Sequence, residues 1–307
     1  MTSPRLQRSF TFLVNPSSGG GAAPEAVVPM ARLLREAGST VDVTYSPGPR
    51  AMAGLVTEAL DRGDVVVSVG GDGMLSSLAG AVSSAGGTLA VLPAGRGNDF
   101  ARMLGLPEDP ADQARLLLEA DVRKVDLVSL TLPGAADRRV AGSVYSGVDA
   151  RASEIVDRVQ WLPRRLQYPY AAIRSLANYR PARYRVTVDG DTRDYLAANV
   201  VVANSAYYGK GMKIAPGAVL DDGLLEVVVI EAAGKLDLIR SLPKVYDGSH
   251  VGLPEVTVLR GRRVELRADG RTPVPVGGDG EPLGVLPGLS DPPAVVEILP
   301  GALSIIG

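Results

Sequence analysis

Between residues 10 and 120, short β-branched runs alternate with longer stretches of helical period, and glycine marks most of the changes. Phe10–Val14 reads as a buried strand. Residues 23–37 read as a helix stopped by Gly38, with Pro29 expected to kink or restart it. Residues 41–45 alternate like a strand, 49–62 read as a helix ended by Gly63, and 65–69 form a β-branched run. A helix over 73–84, a strand over 88–92 and a helix over 109–120 complete the series. Strands that alternate with helices build a parallel sheet covered on both faces. Ligands of such sheets bind beyond the carboxyl ends of the strands, so the turns there come first in any search for function.

Near Leu127 the pattern changes. β-runs dominate from there: 125–132, 140–145, 184–189, 195–203, 224–231, 256–259 and 263–268. Asp189-Gly190 reads as a hairpin turn. Two helical stretches, 150–160 and 165–179, interrupt the run. The expectation is an α/β domain followed by a second, mostly antiparallel one.

Composition excludes several classes. With 46 % hydrophobic but only 5 % aromatic residues, the core must rest on Val, Leu, Ile and Ala. A net charge of -2 gives no reason to expect a nucleic-acid partner. There is no cysteine, which excludes disulfides and thiolate metal sites and is compatible with a cytoplasmic setting. The one histidine, His250, argues against a Ser–His–Asp triad or a two-histidine zinc site and reads as a surface or capping residue. The first residues lack a signal-peptide shape, and no apolar run reaches the ~18 residues that span a bilayer. The chain is expected to be soluble or to sit on a membrane surface.

Three glycine-rich turns each follow a strand of the first domain. They are Asn15-Pro16-Ser17-Ser18-Gly19-Gly20-Gly21, Gly70-Gly71-Asp72-Gly73 and Pro93-Ala94-Gly95-Arg96-Gly97-Asn98-Asp99. Glycine lets a backbone approach a ligand closely and aim N–H groups at phosphate oxygens, and a helix start adds a favourable dipole. One such turn is often purely structural; three at one sheet edge form a polyphosphate cradle. Neither G-x-x-x-x-G-K-[ST] nor a G-x-G-x-x-G after the first strand occurs.

The blocks NPSSGG, VGGDG, LPAGRGNDFAR, APGAVLDDGLLEV and GGDGEPLG run from Asn15 to Gly284. Together they resemble the diacylglycerol kinase catalytic family, which also contains sphingosine and ceramide kinases and is distantly related to NAD kinases. VGGDG occurs in NAD kinases too, whereas GNDFAR, LDDGLLEV and the late DGE point to the lipid kinases. The resemblance implies an α/β ATP-binding domain over 1–127, joined by a returning tail over 299–307, and a β-sandwich lipid-substrate domain over 128–298. It implies ATP and Mg2+ as cofactors and a diacylglycerol-like lipid as substrate, with NAD phosphorylation or catalytically weak nucleotide and membrane binding as the alternatives.

Residue roles follow from the same resemblance. Asn15, Ser17, Ser18, Gly19, Gly70, Gly71, Gly73, Met74, Ser77, Gly95, Arg96, Asn98 and Asp99 fall on the nucleotide side. Asp72 falls in the ATP–Mg2+ site, although its place before a helix also suits an N-cap. Asp222 is the side-chain ligand of a structural Mg2+, with the carbonyls of Val219 and Leu224 beside it; oxygen-only ligation suits a hard cation. A tight turn at Asp221, Asp222 and Gly223 is the plainer account. Glu281 is the general base for the lipid hydroxyl, set against a solvated hairpin carboxylate. The family usually has threonine after GGDG and an Asn-Glu pair shortly after, where this chain has Met74, Ser76 and Ser77. It usually has threonine where this chain has Arg96, which could make a charge-assisted phosphate contact.

Between Arg158 and Arg185 there are seven arginines and no acidic residue, with Trp161, Tyr168, Tyr170, Tyr179 and Tyr184 interleaved. That composition suits an interfacial helix on anionic lipid at the inner face of a membrane, or a packing helix with a solvated basic side.

Overall fold

The computed structural model describes residues 8–46, 48, 51–95, 97–151, 155, 159, 162, 170, 174, 175 and 180–307. Arg96, most of the expected helices over 150–160 and 165–179, and with them most of the basic segment from Arg158, lie outside the described residues. The chain divides into two compact units, 1–126 with 301–307, and 127–300.

The first unit contains β1 (Phe10–Val14), α1 (Ala22–Glu36), β2 (Val41–Tyr45), α2 (Met52–Asp61), β3 (Val65–Gly70), α3 (Asp72–Ser84), β4 (Thr88–Pro93), α4 (Asp99–Leu104) and α5 (Pro110–Glu119). Its strands are parallel, in the order β2-β1-β3-β4. Alternate residues of β1, Phe10, Phe12 and Val14, pack in one cluster with Val67 and Val69 of β3 and with Val27, Met30 and Leu34 of α1. The helical residues recur at the three- and four-residue spacing that puts one face against a sheet. β1 is buried along its whole length, as a strand covered on both faces must be.

Two departures from the sequence reading are local. Helix α1 runs through Pro29 without a break. Pro29 is on the exposed side of the helix, where the carbonyl it leaves unpaired faces water. Helix α4 is new; its six residues are too short to show a period.

The second unit is antiparallel. It takes in the end of β5 (Val122–Thr131), then β6 (Arg138–Val140), β7 (Ser143–Gly147), β8 (Ala182–Val188), β9 (Asp191–Ala203), β10 (Leu225–Glu231), helix α6 (Lys235–Asp247), β11 (Val256–Gly261), β12 (Arg263–Asp269), β13 (Pro275–Gly278), β14 (Glu281–Val285) and the start of β15 (Ala294–Ile306). Strand order is β14-β13-β7-β9-β8-β12-β15, and β10 joins β9 to β11. Strand alternation feeds two cores. Val200, Val202, Val227 and Val229 join one cluster, while Val201, Ala203 and Val228 join another with Tyr145, Tyr208 and Val245. The last residues of β15 belong to the first unit, where Ser304, Ile305 and Ile306 pair in parallel with Thr88, Leu89 and Ala90 of β4.

Candidate functional site

The three glycine-rich turns of the first unit meet at the carboxyl ends of β1, β3 and β4. In the first, the Asn15 side chain accepts the Ser17 N–H at 3.0 Å, and Ser18 Oγ donates to the Ala94 carbonyl of the third turn at 3.2 Å. A Cβ added to Gly19 would stand 2.5 Å from that same carbonyl oxygen, and Gly19 has a φ of +60°, so only glycine fits. The second and third turns are closer still. A Cβ on Gly95 would lie 2.3 Å from the Gly71 Cα and 2.8 Å from Asn98 Oδ1, so only glycine fits there. Several of these glycines therefore exist to let the turns touch each other.

Asn98 locks the third turn. Its Oδ1 accepts the Gly95 N–H at 2.8 Å while its own backbone sits at a φ of 53°. Asp72 opens α3 and its Oδ1 accepts the Phe100 N–H at 3.2 Å, which ties α3 to α4. The carboxylates of Asp72 and Asp99 both lie beside Gly97, about 3 Å from where its Cβ would stand (2.9 and 3.1 Å). Helices α1 and α3 begin at Gly21 and Gly71, neither of which supplies a side-chain cap. Their first-turn N–H groups are the donors a phosphate takes up. Uncapped helix starts beside two carboxylates fit a phosphate chain with a hard cation, which usually keeps one or two protein carboxylates. Met74 folds back over the strand end, its Sδ 3.0 Å from the Cβ position of Gly70, so an apolar thioether covers backbone that a threonine would leave open. Ser77 is exposed one turn further along α3.

In the second unit Asp279 and Gly280 form the two-residue turn between β13 and β14, with φ of 45° and 88°. Glu281 is the first residue of β14, opposite Gly278, and its side chain is exposed. The turn is held from behind. The Asp279 carboxylate accepts N–H groups from Ala141 at 2.8 Å, Gly142 at 3.0 Å and Ser143 at 2.9 Å. The Gly280 N–H donates to the Tyr145 hydroxyl at 3.0 Å. Tyr145 in turn rests against Tyr208, with ring centroids 5.7 Å apart.

Tyr208 lines a cavity of about 150 Å³, walled mainly by apolar side chains such as Ile214, Leu238, Leu242, Val245 and Leu253. One end is polar: Asp149 accepts from the Tyr208 hydroxyl and from the Asn199 amide. Burial pushes the Asp149 carboxyl up from its ordinary pKa, against the pull of those two donors. Burial first, and then the Asp149 charge, push the Tyr208 phenol well up. His250 also lines the cavity and is buried, unlike the surface or capping residue expected from sequence. Its Nε2 is 3.0 Å from the Ile214 carbonyl, and burial pushes its pKa down.

Asp222 lies in the turn before β10. Its Oδ1 accepts the Leu224 N–H at 3.0 Å and its Oδ2 accepts Arg260. A guanidinium thus stands beside the carboxylate where the sequence reading expects a metal ion. Among the described residues no cluster of three or more histidine, cysteine or acidic side chains forms a metal site.

Sequence reading missed Asp279, Tyr145, Asp149 and Tyr208. Asp279 carried a signal, since Asp-Gly between two β-runs is a strong hairpin mark. The others join up only through contacts such as that of Gly280 with Tyr145, 135 positions away.

Residues 9–130 match the diacylglycerol kinase catalytic domain, and 142–307 match the YegS C-terminal NAD kinase beta sandwich-like domain. The chain is 30 % identical over 297 residues to a diacylglycerol kinase of Mycobacterium tuberculosis H37Rv, covering 94 % of each chain. It is 24 % identical over 284 residues to a diacylglycerol kinase of Bacillus subtilis 168, covering 90 % of this chain and 91 % of the other. A diacylglycerol kinase crystal structure from Bacillus anthracis shares the fold, with a TM-score of 0.69, 18 % identity and coverage of 99 % and 98 %. This chain belongs to the diacylglycerol kinase family of lipid kinases.

Proposed function

We propose that the chain phosphorylates diacylglycerol to phosphatidic acid, with the first unit as ATP-binding domain and the second as lipid-substrate domain. Use of ATP and of a lipid acceptor comes with the kinase family; the particular lipid follows the names of its relatives. The observation that carries the reading is the chain of contacts in the second unit. Glu281 leaves a turn fixed by Tyr145, and Tyr145 rests on Tyr208 in the wall of an apolar cavity. A carboxylate and a mainly apolar cavity are thereby built on one framework.

Bound Mg2+–ATP supplies the transferable phosphoryl group. The protein's share is positioning and charge neutralisation. Asn15, Ser17, Ser18, Gly19, Gly70, Gly71, Gly73, Met74, Ser77, Gly95, Arg96, Asn98 and Asp99 hold the nucleotide. Asp72 and Asp99 share the metal. Glu281 takes the proton from the lipid hydroxyl as it attacks. The loop of Val219, Asp222 and Leu224 is a second Mg2+ site, with Arg260 as competitor.

The test is transfer from radiolabelled ATP to a panel of lipid alcohols in mixed micelles. Diacylglycerol should be the best acceptor. Glu281→Gln should lower turnover roughly 10²–10⁴-fold, the usual worth of general acid–base help, and leave ATP affinity unchanged. A folded variant with the parent rate removes Glu281 from the mechanism; no transfer to diacylglycerol by the parent removes that lipid.

A further inference from the structure

Helix α6 carries two apolar faces. Leu238, Leu242 and Val245 line the cavity. Turned away from it, Leu236 is 66 % exposed, Ile239 46 % and Tyr246 53 %, and Leu242 at the margin is 38 %. Spacings of three and seven put Leu236, Ile239 and Tyr246 on one side of a helix. Eleven large hydrophobic side chains are exposed among the described residues, and four of them belong to this helix of 13 residues. A solvated surface helix has its polar face there, so the outer face of α6 is inverted relative to its surroundings.

The flanks indicate what covers it. Lys235, Arg240 and Lys244 accompany the stripe, all exposed. The helix's two carboxylates have local partners: Asp237 pairs with Arg240 at 3.7 Å, and Asp247 accepts the Ser249 N–H at 2.8 Å. Large apolar side chains bordered by long basic ones suit the boundary between acyl chains and anionic headgroups. A bilayer is where a lipid kinase's water-insoluble substrate resides, and α6 walls a cavity lined mainly by apolar side chains.

We propose that α6 is a membrane-docking helix, lying in an anionic lipid surface on Leu236, Ile239 and Tyr246 while its inner face walls the cavity. The choice of partner rests on the lipid-kinase assignment. Docking itself is read without turnover, so the two can fail separately. The site differs from the basic segment after Arg158.

The experiment is sedimentation of the full chain with phosphatidylcholine vesicles, with and without phosphatidylglycerol. The parent should bind, more tightly to the anionic vesicles, and that excess should shrink at high salt. The triple variant L236S/I239S/Y246S should lose roughly tenfold in bound-to-free ratio on both vesicle types while keeping the parent's melting temperature. Lys244→Glu should lose mainly the anionic excess. Transfer to a short-chain, monomeric diacylglycerol should match the parent in the triple variant, because none of the three side chains lines the cavity. Three results would overturn the proposal. The first is a parent that binds no vesicle, and the second is a folded triple variant that binds as the parent does. The third is a parent dimer that the triple variant splits, which would assign the face to a second copy of the chain.

Discussion

Asp279 is the residue on which the Glu281 turn depends. Its two oxygens take three consecutive backbone N–H groups just before and at the start of β7. Hydrogen bonds to a charged acceptor contribute about 1.5–3 kcal/mol each, and a buried donor left unpaired costs about as much. Asp279→Ala should therefore lower stability by on the order of 3 kcal/mol and lower turnover as Glu281 loses its fixed position. ATP affinity should stay unchanged. Asp279→Asn keeps one acceptor oxygen and should recover part of both losses. Parent-level turnover in a folded Asp279→Ala protein would show that Glu281 needs no such anchor. Asp279 acts by positioning, and its own text, Asp-Gly before a β-run, announced a turn but not what the carboxylate binds. Partners near position 141 are invisible to any local pattern. Asp72 and Asp99 stood out in the sequence because glycines at strand ends frame them, and Glu281 because of the family resemblance. Asp149 and Tyr208 did not, since Asp149 follows a strand with nothing to mark burial and Tyr208 sits in a loop.

At the scale of elements, periodicity located β1 to β4, the longer helices of the first unit and most strands of the second, but not β13, β14 or β15. It failed where a contact outweighed a local preference: Pro29 stays helical because its lost hydrogen bond falls on the solvent side. The loop before β10 is the element whose chemistry is most open to test. Asp222 holds the Leu224 N–H and Arg260, while Glu226 reaches back to the Gly217 N–H at 3.0 Å. An ion binding only the folded loop stabilises by RT ln(1 + [L]/Kd), about 2.7 kcal/mol at a hundredfold excess over Kd. If Mg2+ binds here in competition with the guanidinium, the parent should melt a few degrees higher with Mg2+ than with chelator. Arg260→Ala should widen that gap, because the carboxylate is then freed for the ion. Asp222→Ala should abolish it. Identical melting with Mg2+ and chelator in both the parent and Arg260→Ala would leave the loop a purely internal ion pair.

On the scale of the whole molecule, the order of the chain matters. The first unit's sheet is finished by residues far along the chain, 301–307. Leu303, Ile305 and Ile306 are fully buried there, and Ser304, Ile305 and Ile306 pair with β4. Ser83 Oγ donates to the Ala302 carbonyl at 2.7 Å, and the Gly301 N–H donates to buried Asp126 at 2.7 Å. Burying each aliphatic side chain contributes about 1.5–3 kcal/mol, so the three together supply on the order of 5–9 kcal/mol. That matches the total stability of an ordinary domain, about 5–15 kcal/mol. A chain ending at Pro300 should then leave β4 as an open edge beside Asp126, melt far below the parent and show no stabilisation by ATP, although every turn proposed to touch the nucleotide is still encoded. Long-range pairing of this kind is slow to form, because the loop between residues 90 and 304 must close before it is rewarded. Refolding of ATP binding should accordingly lag behind the recovery of secondary structure. A truncated chain that melts with the parent and keeps its ATP-induced shift would mean that β1 to β4 suffice. The nucleotide site would then be encoded entirely within the first 126 residues. The lag tests the same point independently, since a sheet complete without its last strand has nothing to wait for.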